Sequence, residues 1–316
     1  MNITPVKINN ENKYIYKRDS KNLILLKSKS GNIKPIVEKN LLPHDYGYHP
    51  NIYGINAAPG CGLQREYGQM YDKRGRIFNR HTTFFARGDL DWYDFGKYLK
   101  SKFEDISNVD IQCFGCSTGQ EAYTLAILLN HIYNGEPFTI HASDIDERTI
   151  EHDKEEQETG IYLQKIDCLE LLVNVGIDKE RNQSDEDYLG KYFALSGNIG
   201  RICSEIVNSV EFSKKNILTS TDELNQTKPS IVLCRNMWPY VNPDLYRRFA
   251  EKLYKNLAEG SIVIIGNFDC LGEFGYENSS DFPNALKKAG FNPVDRGAGV
   301  LCYIGGRNEK KLIFEK

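Results

Sequence analysis

The run Cys113-Phe114-Gly115-Cys116-Ser117-Thr118-Gly119-Gln120-Glu121 constrains the fold of this chain more than any other segment. It follows an apolar stretch at 109–113 and opens a helix-patterned stretch at 122–129. A strand, a tight glycine turn and a helix N-terminus in that order build a nucleotide-sized pocket. The glycines let the backbone approach a ligand closely, and the amides at the helix start are open donors. No Lys-Ser or Lys-Thr pair follows the turn, which disfavours a phosphate-gripping loop, and the dinucleotide pattern G-x-G-x-x-G is missing. A glycine turn alone can serve packing in any α/β protein, so the residues downstream decide what this one does.

Beyond residue 89 helix and strand patterns alternate. Residues 91–103 read as a helix, with Trp92, Phe95, Tyr98 and Leu99 at helical spacing. Strand patterns occur at 109–114, 138–142, 210–212, 230–234, 261–265, 291–294 and 299–304. Helix patterns lie between them at 121–133, 148–158, 243–256 and 282–289. Such alternation predicts an α/β fold, a mainly parallel sheet covered on both faces. Residues 160–208 break the rhythm and are too long for a simple connection, so they read as an inserted subdomain.

Residues 1–75 have a different character and read as a divergent N-terminal region, with the main domain at 76–316. The first 40 residues carry nine Lys/Arg against three Asp/Glu, a bias more typical of a solvated face than of a docking site. Segments 22–26 and 33–37 flank Ser30-Gly31-Asn32 and predict a β-hairpin. Residues 43–62, rich in Pro, Gly, Asn and Tyr, read as an irregular connector or a loop-rich packed segment.

Composition excludes several classes. No run of about 18 apolar residues exists, so no membrane-spanning helix is expected. Residues 1–10 lack an apolar signal core, which with the scattered cysteines predicts a reduced, cytoplasmic protein. A formal net charge of −3 argues against nucleic acid as the main partner. The pair Cys113-x-x-Cys116 has metal or redox spacing, but no second Cys pair or His cluster completes it, so both read as strand-end and turn residues and no metal is expected.

In open α/β sheets the ligand lies at the carboxyl ends of the strands. Gly115, Gly119 and Glu121 follow the first strand, and Asp144, about 25–30 residues past the turn, follows the second, where an acid accepts bonds from ribose hydroxyls. Asn216 follows the third, with an amide suited to an adenine edge, and Arg235, Asn236 and Tyr240 follow the fourth. A nucleoside pocket without phosphate machinery points to S-adenosylmethionine.

Five motifs in this order resemble the CheR-type glutamate O-methyltransferases of bacterial chemotaxis receptors. They are Thr82-Thr83-Phe84-Phe85, the Gly115–Glu121 segment, Ala142-Ser143-Asp144-Ile145-Asp146, Lys215-Asn216-Ile217-Leu218, and Cys234-Arg235-Asn236-Met237-Trp238-Pro239-Tyr240. The likeness spans roughly residues 79–270. It implies a Rossmann-like class I methyltransferase sheet with a small inserted β subdomain, matching 160–208. It also implies S-adenosylmethionine as cofactor, S-adenosylhomocysteine as product, and as partner a protein bearing exposed glutamates, such as a chemoreceptor-like protein. Cofactor contacts carried over from the family fall on Thr82, Glu121, Asp144, Asn216, Ile217, Arg235 and Asn236, beside the Gly115 to Gly119 turn, while Tyr240 faces the methyl group and the substrate.

Three departures from the family pattern stand out. Ala86 occupies the place of an arginine after the two phenylalanines, and Arg87, one residue on, is the candidate to stand in for it. Gln120 and Ala122 flank Glu121 in place of Glu and Pro, and Asn267-Phe268-Asp269 replaces His-Ser-Glu. Residues 1–75 lack the amphipathic helices of the family's receptor-docking domain. Asp144 alone could serve as a helix cap, and His81 and His141 read as structural, without a partner for base catalysis. The alternatives to protein carboxyl methylation are transfer to another protein or small molecule, and a cofactor-binding regulator without transfer activity. Nucleic-acid methylation ranks third, because Asn236-Met237-Trp238-Pro239-Tyr240 is not the N/D-P-P-Y/F motif of base amino-methylases.

Overall fold

The computed structural model describes residues 83, 85–88, 90–238, 241, 243–266, 269–270, 281–294 and 312–316, preceded by six short strands between residues 6 and 71. The chain divides into two compact units, Met1–Tyr46 and Gly47–Lys316. In the first, β1 (Val6–Ile8), β2 (Lys13–Arg18), β3 (Lys21–Lys27) and β4 (Ile33–Pro35) form an antiparallel sheet in that order. Lys27 pairs with Ile33 and Leu25 with Pro35, which closes the hairpin expected around Ser30-Gly31-Asn32. In the second unit, β5 (Gln64–Glu66) and β6 (Gln69–Tyr71) make a separate two-stranded ribbon.

Helix α1 (Trp92–Lys102) starts where the Asp91 carboxylate accepts a bond from the Asp94 amide at 3.2 Å, and carries Lys100 and Lys102 in its last turn. Both ends thus match the helix dipole. Next come β7 (Asp110–Phe114), α2 (Gln120–Ile132), β8 (Ile140–Asp144) and α3 (Glu147–Thr159). The insertion holds β9 (Tyr162–Gln164), α4 (Lys165–Val175), α5 (Asp185–Gly190), β10 (Phe193–Ser196), β11 (Ile199–Ile202) and α6 (Ser204–Val207). Its strands form an antiparallel sheet in the order β10-β11-β9, the small inserted β subdomain that the sequence predicts. The chain then continues through β12 (Val210–Lys214), α7 (Ile217–Ser220), β13 (Ser230–Leu233), α8 (Pro243–Asn256), β14 (Ile262–Ile264), α9 (Phe282–Ala289), β15 (Asn292–Pro293) and β16 (Ile313–Glu315).

The main sheet has seven strands in the order β12-β8-β7-β13-β14-β16-β15. The first five are parallel, and β16 runs antiparallel between β14 and β15. This order and the single reversed strand make it a Rossmann-like class I methyltransferase sheet. The near-continuous apolar runs of β13 and β14 follow from coverage on both faces. Ile231, Leu233, Ile262 and Ile264 pack with Trp92, Phe95 and Leu125 on one side. Val232, Cys234, Val263 and Ile265 pack with Phe249, Leu253, Phe282 and Leu286 on the other.

Two details differ from expectation. The second strand begins at Ile140 rather than 138, because its ladder starts where Ile140 meets Ile111 on β7 and Val210 on β12. Strand β16, absent from the sequence reading, is a three-residue run whose pairing partners lie far along the chain. The strand expected at 299–304 lies outside the described residues. From β7 the chain steps outward to β8 and β12, then returns to β13 on the opposite side of β7. The carboxyl ends of β7 and β13 therefore flank a topological switch point, where sheets of this kind bind ligands.

Candidate functional site

After β7 the backbone turns through positive φ at Gly115 (65°), Ser117 (50°) and Gly119 (78°). Gly119 begins α2, and a Cβ there would lie 2.8 Å from the Phe212 ring and 3.1 Å from Tyr123. A Cβ on Gly115 would come within 3.0 Å of the Met237 sulfur. Positive φ favours glycine at both positions, and at Gly119 the Phe212 ring leaves no room for a side chain as well. Asp144, at the end of β8, fastens this turn: its Oδ2 accepts from the Ser117 amide and its Oδ1 from the Asp146 amide, each at 3.0 Å. The cap of α3 is Asp146, which accepts from the Arg148 amide at 3.1 Å, so Asp144 is not spent on capping. A carboxylate has about four acceptor positions, which leaves Asp144 capacity for a ligand beyond these two bonds.

The Lys215 amide donates to the Asp144 carbonyl at 2.9 Å and so brings the end of β12 beside the end of β8. Asn216 follows directly, with its Oδ1 accepting from the Leu218 amide at 3.0 Å to cap α7, and the half-buried Ile217 packs against the core beneath α8.

Glu121, in the first turn of α2, faces Arg235 at the end of β13. The Arg235 Nη1 donates to Glu121 Oε2 at 2.9 Å, with the arginine side chain wholly buried. The guanidinium also lies over the Trp92 ring, 5.3 Å from its centroid. Trp92 in turn donates from Nε1 to the Arg87 carbonyl at 3.2 Å. The buried Ala86, at φ 44°, donates its amide to Thr124 Oγ1 at 2.9 Å, and that hydroxyl donates to the Gln120 carbonyl at 2.7 Å. Arg87 is half-buried on a turn rather than a helix. This chain of contacts ties the 85–88 turn to the starts of α1 and α2 and to the end of β13.

Asn236 also holds positive φ, 59°. Its amide donates to Asp269 Oδ2 at 2.6 Å, the Trp238 amide donates to Oδ1 at 3.0 Å, and the Gly266 amide donates to Oδ2 at 2.7 Å. The fully buried Asp269 thereby joins the loops after β13 and β14. Trp238 anchors the same loop, stacking on Phe282 with ring centroids 3.9 Å apart and donating from Nε1 to the Cys234 carbonyl at 2.9 Å.

The structure thus gathers Gly115, Gly119, Glu121, Asp144, Asn216, Ile217, Arg235 and Asn236 at the carboxyl ends of four adjacent strands, and links Arg87 to them through Trp92. Thr82 and Tyr240 lie outside the described residues. Asp269, Trp92 and Asp146 play parts that sequence reasoning did not assign. A lone carboxylate four residues past the apolar run 262–265 was the signal for Asp269. His141 has a partner that the sequence did not supply: its Nδ1 lies 3.2 Å from Glu211 on the neighbouring strand, an exposed pair that fits a structural role. His81 lies outside the described residues. Cys113 and Cys116 are free and buried, and burial pushes both thiols well above their usual pKa.

The donor set matches S-adenosylmethionine. Asp144 keeps acceptor capacity for a ribose hydroxyl beyond its two amide bonds. The buried Arg235 is already balanced by Glu121 and so is a poor phosphate clamp.

Residues 80–167 and 177–281, more than half of the chain, match the family described as CheR methyltransferase, SAM binding domain. The chain is 26% identical over 171 residues to the Cher3 protein of Pseudomonas putida, assigned as a methyltransferase, covering 54% of this chain and 58% of that protein. It is 23% identical over 169 residues to an uncharacterized 104.1 kDa protein of Rhodobacter capsulatus, covering 52% of this chain and 16% of that one. Among solved structures, a TehB-like SAM-dependent methyltransferase of Corynebacterium glutamicum is 10% identical with a TM-score of 0.40, covering 71% of this chain and 88% of its own. Human N-acetylserotonin methyltransferase, solved with SAM, is 12% identical with a TM-score of 0.34, covering 70% and 51%. With the family match spanning the strand-end residues from Glu121 to Asn236, this chain belongs to the CheR methyltransferase family and carries its S-adenosylmethionine-binding domain.

Proposed function

We propose that the chain is an S-adenosylmethionine-dependent protein carboxyl O-methyltransferase that forms methyl esters on glutamate side chains of a protein partner, a chemoreceptor-like protein being the first candidate. The observation that carries this reading is the convergence of the Ser117–Asp144 bond, the Glu121–Arg235 pair and Asn216 at one switch point within the family-matched span. Asp144, Glu121, Asn216, Ile217, Arg235, Asn236 and the Gly115 to Gly119 turn would hold the cofactor, together with Thr82.

When bound, S-adenosylmethionine supplies a methyl group already activated by its sulfonium centre. The protein's own work is then limited. A glutamate side chain has a reference pKa of about 4.3 and is ionised near neutral pH, so no general base is required. Alignment of acceptor oxygen with the methyl group, and exclusion of water, supply the catalysis. Tyr240 and Arg87 are assigned to hold the acceptor carboxylate, and residues 1–75 to select the partner.

A second reading rests on Ala86, which fills the position of the family arginine with a small buried side chain. On that reading the chain binds the cofactor as a regulator and transfers nothing. Incubation with tritiated-methyl cofactor and lysate proteins separates the two. Base-labile methanol released from labelled protein supports esterification; cofactor binding with no labelled protein supports the regulator.

A further inference from the structure

Helix α3 carries a polar cluster that the methyl-transfer reading does not use. Asp153 is 1% exposed, and among the described residues neither of its carboxylate oxygens has a hydrogen-bond partner. A bare carboxylate held out of water is strongly disfavoured unless a proton or a cation neutralises it. Glu156 lies three residues after Asp153 and four after His152, the spacings at which helix side chains meet, and His152 immediately precedes Asp153. The His152 Nδ1 lies 3.9 Å from Asp153 Oδ1 and 3.8 Å from Glu156 Oε2. One ligating atom from each residue falls within 4.8 Å of the other two.

We propose that His152, Asp153 and Glu156 form a binding site for one divalent transition metal ion of the zinc class. The ligand set decides the class: an imidazole nitrogen beside two carboxylates suits zinc and its neighbours, whereas magnesium and calcium take oxygen ligands. Tetrahedral zinc with bonds of about 2.0–2.2 Å holds its ligand atoms about 3.4 Å apart. The two His152 spacings exceed this by about half an ångström and no pair by more than about 1.4 Å, within the reach of side-chain rotations of His152 and Glu156. Both are partly exposed, at 42% and 23%, and offer the ion a route from solvent, while Asp153 forms the buried floor. Three protein ligands leave a fourth position for water. The sequence offered this site only as three residues within five positions of a highly charged helix.

Titration calorimetry on the full chain with zinc chloride, and separately with magnesium chloride, tests the proposal. One zinc equivalent should bind, and magnesium should not compete. His152→Ala and Glu156→Gln, both at partly exposed positions, should keep the wild-type circular dichroism and each lower zinc affinity at least tenfold. Asp153→Asn should do the same. Cobalt substituted for zinc should give visible ligand-field bands without an intense sulfur-to-metal band. Absence of stoichiometric zinc binding would overturn the proposal and leave Asp153 neutralised by a proton. Binding unchanged in His152→Ala and Glu156→Gln, or a sulfur-to-cobalt band, would also overturn it by placing the ion elsewhere, on cysteines in the second case.

Discussion

Asp144 and Asp146 are two residues apart and do different work because one ends a strand and the other starts a helix. Asp146 spends its side chain on the Arg148 amide, while Asp144 reaches across to the Ser117 amide of the neighbouring strand's turn. If Asp144 also holds a cofactor hydroxyl, Asp144→Ala should lower S-adenosylmethionine affinity about tenfold to a hundredfold, a loss on the order of 1.5–3 kcal/mol. Calorimetry on that variant checks this, and unchanged affinity would remove Asp144 from the pocket. Asp269 is the opposite case, a buried carboxylate that accepts from three backbone amides. Asp269→Ala leaves those donors without a charged acceptor and should cost on the order of 3 kcal/mol in urea unfolding. A stability equal to wild type would mean that the loops after β13 and β14 hold themselves.

The buried Glu121–Arg235 pair connects the start of α2 to the end of β13 across the switch point. Such a pair adds little net stability compared with apolar packing, yet breaking it strands a charge in the interior. Arg235→Ala is therefore expected to destabilise the fold by about 3–5 kcal/mol, and Glu121→Gln by less, since a neutral amide still accepts from the guanidinium. Chemical denaturation of both variants and of the double variant gives the coupling between them; additive losses would show that the pair is not a unit. Gly119→Ala tests the turn itself. Positive φ and the nearby Phe212 ring both oppose a methyl group there, so the variant should lose about 1–3 kcal/mol of stability.

At the scale of the whole molecule, partner selection and cofactor binding are proposed to reside in different segments of the chain. If residues 1–75 serve partner selection, a truncation spanning 76–316 should stay folded by circular dichroism and keep its cofactor affinity while losing methyl transfer to the partner. A folded truncation that binds no cofactor would assign the N-terminal region to the pocket. If Tyr240 orients the acceptor, Tyr240→Phe in the full chain should lower kcat far more than it weakens cofactor binding. Equal losses in both would move Tyr240 to the cofactor side.

Apolar runs bounded by turn residues made the alternating strands and helices legible in the sequence alone. The helices at 243–256 and 282–289 have the bounds that their patterns predict, because an amphipathic stripe is a local property. The strand-end acids and amides were legible too, since each follows an apolar run directly. What required the tertiary structure is whatever depends on pairing between distant segments. Strand β16 is too short to announce itself and exists because β14 and β15 accept it. Residues 114 positions apart meet as Glu121 and Arg235, and the Asp269 carboxylate finds amides about 30 residues away. Sequence patterns report what each segment buries, whereas the partner of a buried charge is set by which strand ends the topology places side by side.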